Sequence, residues 1–310
     1  MDVSFSQRLV SFFGLFAMVG IAWLLSHRRD RVPWRVIAWG IGLQVSFGVL
    51  VMKTDAGLRL FSVLNDVVLA LLEFTAKGTE FVFGDFATEK FTIVVNVLPT
   101  LIFFSSLMTI LYYLGLMQRV VGAFAWVMRR TMRTSGPETL SVAANTFVGQ
   151  TEAPLMVAPF IGKMTMSELN AVMTGGFATV AGGVLAAYVG LLKAVFPDIA
   201  GHLIAASVMS APAALVVAKV MWPETAKSEA SDGAVAEVDK PDANVIDAAA
   251  RGAFEGMKLA LNVGAMLLAF IALIALGNAL LGLPFQLYND WAGLEGGAAI
   301  APWTVSYTHL

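Results

Sequence analysis

The sequence predicts an all-α, polytopic membrane protein, and three observations predict it. Only 14% of its 310 residues are charged and 58% are hydrophobic, whereas soluble domains carry roughly 25% charged residues. Runs long enough to cross a bilayer without a charge recur along the chain. One apolar segment, NTFVGQTEAPLMVAPF (145–160), holds a polar cluster and two prolines at its middle. A soluble core could not absorb this excess of apolar side chains, so the first two observations place the chain in a membrane. The third says that one segment is not a straight span. A net charge of −2 leaves no electrostatic footprint for nucleic acid. The absence of cysteine excludes disulfides, thiol catalysis and thiolate metal sites.

A crossing helix needs roughly 20 mostly apolar residues. Charge-free runs at 9–26, 36–52, 91–118, 169–192, 199–218 and 259–289 predict six spans, the last ending near Gly282–Pro284. The first run reads as a retained span. Its positive residues, Arg28, Arg29 and Arg31, follow the apolar stretch, and no small-residue cleavage site is present. The arginine-rich segments 26–35 and 119–136 are expected on the cytoplasmic side. That puts the N-terminus and the loop 53–90 outside and the linker 219–258 inside.

Within 56–75, Leu60, Leu64, Val67, Val68 and Leu71 form a stripe, and Arg59, Asp66 and Glu73 interrupt the run. This pattern predicts an amphipathic helix lying against membrane or protein, with a seventh span as the alternative. The acidic, small-residue stretch 223–245 reads as a solvated cytoplasmic linker. Trp34, Trp39 and Trp222 are expected at the interface, and His202, opening a span, is expected to pack or sit at the interface.

The segment 139–162 cannot comfortably be one straight helix. Pro154 would lie mid-helix at a cost of about 3 kcal/mol or more. Glu152 near the bilayer centre would cost about 3 kcal/mol again. A re-entrant hairpin removes both penalties. Each arm of about a dozen residues reaches roughly half the bilayer depth, with GQTE at the apex. Gly149 permits the turn, Thr151 caps the second arm, Pro154 falls in its first turn, and Glu152 lies at that arm's positive end. Irregular backbone at this depth requires a wet or protein-lined cavity. The alternative is a kinked span whose polar residues hold helices together. In the next span, TGGFATVAGGVLAAYVG (174–190), two glycine pairs flank Thr179, which suits close packing or an unwound segment.

VLPTLIFFSSLMTILYYLGLMQ (97–118), SVAANTFVGQTEAPL (141–155), GGVLAAY (182–188) and NVIDAAARGAFEGMKLALNVGAML (244–267) resemble the concentrative nucleoside transporter family, as far as about residue 283. The resemblance implies an α-helical homotrimer with two re-entrant hairpins and interleaved scaffold and transport domains. Residues 1–118 and 250–283 would belong to the scaffold, 119–222 to the transport part, 223–249 to the linker and 284–310 to the tail. It also implies that Gln150, Thr151, Glu152 and Val184 contact the nucleoside. A sodium site would comprise Asn145, the Val148 backbone, Thr179 and the Val180 backbone. Two positions depart from the family pattern, Ala158 where a basic residue is common and Gly162 where proline is usual. The second hairpin and further spans are expected after residue 283, and VSYTHL (305–310) has no family counterpart. The expectation is therefore a truncated sequence with a foreign tail, lacking part of its substrate site.

The implied activity is sodium-driven nucleoside uptake across a bacterial inner membrane by alternating access, with membrane lipid as surroundings and no nucleic-acid partner. Proton coupling through Glu152 is the nearest alternative. An enzyme is disfavoured because His27, His202 and His309 are scattered and neither HExxH nor a nucleophile elbow occurs. A gate or assembly protein built on the same hairpin is the remaining alternative.

Overall fold

The computed structural model describes residues 5–89, 92–150, 153–180, 182–226 and 242–293. The helices are α1 (Phe5–Leu24), α2 (Trp34–Lys53), α3 (Asp55–Phe83), α4 (Phe86–Glu89) and α5 (Leu98–Tyr113), with a π-turn at Ile93–Val97 before α5. They continue as α6 (Leu116–Met132), α7 (Gly136–Asn145), a 3₁₀ turn (Ala153–Val157) leading into α8 (Ala158–Ile161), α9 (Met166–Ala178), α10 (Gly182–Leu192), α11 (Ile199–Met221) and α12 (Val245–Ala292). No strand occurs among the described residues.

Five helical stretches are long and apolar enough to cross a membrane, Trp34–Val51, Ile93–Tyr113, Met166–Leu192, Ile199–Met221 and Val245–Asn289, and Phe12–Leu24 is a shorter one. All six expected runs are therefore helical, with three differences. The run expected over 91–118 stops at Tyr113, because Gly115 takes φ 77°, a left-handed conformation that only glycine adopts freely. Residues 116–118 thus begin α6. The fourth run is interrupted at Thr179, described below. The sixth starts at Val245, where Asn244 Oδ1 accepts from the N–H groups of Ile246 and Asp247 at 2.9 and 3.0 Å, and it does not end near Gly282–Pro284. Pro284 lies inside α12. In apolar surroundings, leaving the helix would strand backbone N–H and C=O groups without water, so one lost hydrogen bond is the smaller penalty.

The described residues fall into two compact units divided between Met257 and Lys258. In the first, α11 is the hub. Ala211, Ala214, Leu215, Val216, Ala218 and Val220 are buried against Ile37 of α2, Met128 and Met132 of α6, Val142 of α7 and Ala171 of α9. Small residues let these axes approach. A Cβ on Gly40 would meet the Val216 side chain and lie 3.3 Å from the Pro212 carbonyl. Gly252 and Gly256, at GxxxG spacing in α12, press against Ser106 Cα and Ile102 Cα of α5, where a Cβ would sit 2.7 Å from each. The second unit is the remainder of α12, with Leu261, Leu268, Phe270, Ile271, Leu273 and Leu280 exposed on its sides.

The amphipathic helix expected over 56–75 is present but longer, and its buried face is turned. Asn65, Val68, Leu72, Thr75 and Thr79 are buried, while Leu60 and Val67 are exposed. The inward polar groups are satisfied. Thr75 and Thr79 hydroxyls donate to the carbonyls four residues earlier at 3.2 and 2.9 Å, and Asn65 Oδ1 accepts from the Gly201 N–H at 3.3 Å. Phe74 and Phe81 point outward. His202 packs against Phe61 and Phe196, as a packing histidine. Trp34 and Trp39 are exposed, but Trp222 stacks on His27 with ring centroids 4.3 Å apart instead of standing free. Ala158 and Gly162 both lie on the surface. Most of the linker reading, residues 227–241, lies outside the described residues.

Candidate functional site

The polar stretch of 145–160 is where the chain reverses. Arm α7 is buried at every residue from Pro137 to Asn145, and a 3₁₀ turn carries the chain back, with Pro154 in its first turn. Leu140, Ala143 and Ala144 of the outgoing arm share one cluster with Ala153, Met156 and Val157 of the returning arm, closed by Met117, Val121 and Ala125 of α6. The two arms pack on each other through this cluster. The arms are shorter than a dozen residues each. Gly149 does not use a left-handed conformation; its carbonyl accepts the Ala153 N–H at 3.0 Å and closes the turn. Gln150 is exposed at the apex. Thr151 and Glu152 lie outside the described residues.

Facing the apex is a second break. Helix α9 ends at Ala178, Thr179 is extended (φ −121°, ψ 154°), and α10 resumes at Gly182. The glycine pairs flanking Thr179 are what allow the two breaks to meet. A Cβ on Gly176 would lie 3.3 Å from Gln150 Cβ, and one on Gly182 would collide with the Phe147 carbonyl. Asn145 Nδ2 donates to the Gly175 carbonyl at 2.6 Å and to Thr179 Oγ1. The Thr179 hydroxyl lies 3.3 Å from the Asn145 carbonyl and 3.2 Å from that of Gly175. Two helix C-termini, of α7 and α9, thus converge on one spot, each bringing end carbonyls and partial negative charge. Among the described residues, neither Asn145 Oδ1 nor Thr146 Oγ1, both buried there, has a hydrogen-bond partner. Oxygen atoms without donors at the meeting of two carbonyl-rich ends suit a hard monovalent cation.

Of the residues implied by resemblance, the structure joins Asn145 and Thr179 directly. Val148 follows in the turn, its N–H donating to the Ala144 carbonyl at 3.0 Å. Val180 packs beside the cluster containing Phe104 and Leu185. Val184 is half-buried in the first turn of α10.

Sequence reasoning missed an ionic cluster beside α7, buried at Glu138 and Lys219 and exposed at Glu224. Lys219 Nζ, near the end of α11, lies 2.7 Å from Glu138 Oε2, 3.0 Å from Ser167 Oγ and 3.4 Å from Glu224 Oε2. Glu138 also accepts the Ser135 N–H at 2.8 Å. Buried Glu168 accepts the Thr165 N–H at 2.8 Å, and the Thr165 hydroxyl in return accepts the Glu168 N–H at 3.1 Å. The signal was present: Ser135–Glu138 and Thr165–Glu168 both have the S/T-x-x-E spacing of a capping box, and Lys219 stands immediately after the charge-free run 199–218.

The fold and this site define a multi-pass helical membrane protein whose polar centre is framed by interrupted helices. Three family models match it in succession: the Na+ dependent nucleoside transporter N-terminus over residues 13–86, Nucleoside recognition over 94–195, and the Na+ dependent nucleoside transporter C-terminus over 202–304. The mouse sodium/nucleoside cotransporter 1 is 43% identical over 292 residues, covering 91% of this chain and 44% of the relative. Solute carrier family 28 member 3 of Eptatretus stoutii is 41% identical, covering 92% and 41%. The solved structure of CNTnw in an inward-facing substrate-bound state superposes with a TM-score of 0.82 at 40% identity, covering 92% of this chain and 67% of that one. A further CNTnw structure, in an intermediate state, is covered to 70% at 39% identity with a TM-score of 0.82. The chain belongs to the sodium-dependent, concentrative nucleoside transporter family. It spans less than half the length of these curated relatives. The similarity runs to residue 304, beyond the limit near 283 expected from the sequence. Members of the family are transporters and not enzymes, which removes the enzyme alternative.

Proposed function

We propose that the protein carries nucleosides into the cell with sodium, by alternating access across a bacterial inner membrane, as a homotrimer. The observation that carries this reading is the meeting of two helix C-termini at Asn145 and Thr179, with Asn145 Oδ1 left without a donor. Sodium is bound by Asn145, Thr179 and the backbone carbonyls of Val148 and Val180. The hairpin apex then supplies the base site: Gln150 offers two donors and an acceptor to a base edge, with Thr151, Glu152 and Val184 beside it. The hairpin enters the membrane and returns to the same side, which keeps its polar apex against a cavity instead of lipid. Moving one charge through about 100 mV releases roughly 2.3 kcal/mol, or about fifty-fold accumulation per ion.

Radiolabelled uridine uptake by the full-length protein, with and without sodium, tests the reading. Asn145→Ala is expected to raise the sodium concentration for half-maximal uptake by about tenfold, the equivalent of ~1.4 kcal/mol, with a smaller effect on uridine KM at saturating sodium. Gln150→Ala is expected to do the reverse, raising uridine KM about tenfold and leaving the sodium requirement in place. Uptake that ignores sodium and follows a pH gradient would replace sodium with the proton.

A further inference from the structure

Helix α6 carries a stripe that the transport reading does not use. Trp126, Arg129 and Arg130 recur at helical spacing, so these three share one side of the helix, and the C-cap residue Arg133 lines the same cleft. That side, the start of α7 and Phe160 of α8 enclose a cleft of about 480 Å³. The lining holds three guanidinium-bearing residues and no carboxylate. Among the described residues, none of the three arginines forms a side-chain ion pair or hydrogen bond. Like charges stacked on one stripe repel, and α6 contains no acidic residue to offset them. Arg133 takes a left-handed conformation, φ 57°, at a C-cap where glycine or asparagine is the easier choice. The other wall is apolar, formed by Leu140 and Phe160, and Trp126 is 67% exposed at the mouth.

We propose that this cleft binds the headgroup of an anionic diacyl phospholipid. The guanidinium fork matches a phosphodiester with paired hydrogen bonds. The apolar wall and the exposed tryptophan suit the glycerol and first acyl carbons at the membrane boundary. The charge bias of 26–35 and 119–136 orients α6 toward the cytoplasmic leaflet, where anionic lipids attract basic clusters. Because α6 packs directly on both hairpin arms, the lipid sits against the base of the element that carries the proposed cation site.

The test is native mass spectrometry of the full-length protein titrated with phosphatidylglycerol or phosphatidylcholine of equal chain length. Wild type is expected to retain phosphatidylglycerol at least tenfold better. Arg129→Gln, Arg130→Gln and Arg133→Gln should each reduce that preference by roughly fivefold, and the triple variant should abolish it. Arg28→Gln, in the other basic segment, should leave it intact. Equal retention of both lipids by wild type, an unchanged preference in the triple variant, or complete displacement by millimolar inorganic phosphate would each overturn the proposal. If the triple variant does not fold, the single variants decide the question by the same criterion.

Discussion

Lys219→Met is expected to destabilise the protein by about 3–5 kcal/mol, the magnitude for removing one partner of a buried ion pair. Lys219 is 5% exposed and Glu138 1%, so each is largely withdrawn from water, although both line a cleft of about 430 Å³ together with Arg31, Arg133 and Glu168. The ammonium group joins three elements: Glu138 at the start of α7, Ser167 in the first turn of α9 and Glu224 after α11. Without it, the Glu138 carboxylate stays enclosed near buried Glu168, whose charge has the same sign. The pairing itself contributes far less than this, because burying both charges already carried a desolvation cost. A double variant, Glu138→Gln with Lys219→Met, should therefore recover most of the loss. Thermal unfolding in detergent measures both. Single-variant stability equal to wild type would show that water reaches the cluster.

Gly182→Ala is expected to reduce nucleoside uptake at least tenfold while the protein still reaches the membrane. Helix propensity alone predicts the opposite sign for folding, since alanine is favoured over glycine by about 1 kcal/mol in a helix. Packing wins here because the new Cβ would overlap the Phe147 carbonyl, a backbone atom between Asn145 and Gln150 that cannot rotate away. Overpacking of this kind costs about 1–3 kcal/mol, and relief requires the apex to withdraw from the break at Thr179. The convergence of the two carbonyl-rich ends would then open. Gly190→Ala in the same helix is the control, because a Cβ there meets nothing within 4 Å. Uptake measured beside surface abundance separates the outcomes. Unimpaired uptake by Gly182→Ala would mean that close apposition of α10 and the hairpin is not needed for binding.

These two sites differ in how far they could be read from sequence. The polar apex of 145–160 announces an interruption, because a charge or a proline inside an apolar run has a local energetic consequence, whereas the glycines around Thr179 left close packing and an unwound segment equally open. That Asn145 bonds to Thr179, 34 positions away, has no local signature; only the family resemblance grouped them. The cluster at Glu138 and Lys219 was hidden differently. Each residue sits at the end of an element, where a charge ordinarily meets solvent, and only the packing of α7, α9 and α11 around it lowers its exposure.

The sequence by itself determined the membrane class, the positions of the apolar helices and the presence of a break with a polar apex. These follow from transfer free energies and backbone constraints that act residue by residue. Tertiary structure alone decided which face of α3 turns inward, that α12 runs on through Pro284, which charges become buried and which two breaks meet. The continuation through Pro284 follows from apolar surroundings that leave freed backbone groups without water; the other outcomes depend on close contact between helices far apart in the chain. Small residues such as Gly175, Gly182 and Gly252 set that contact, and their importance is invisible until a neighbouring backbone occupies the space beside them.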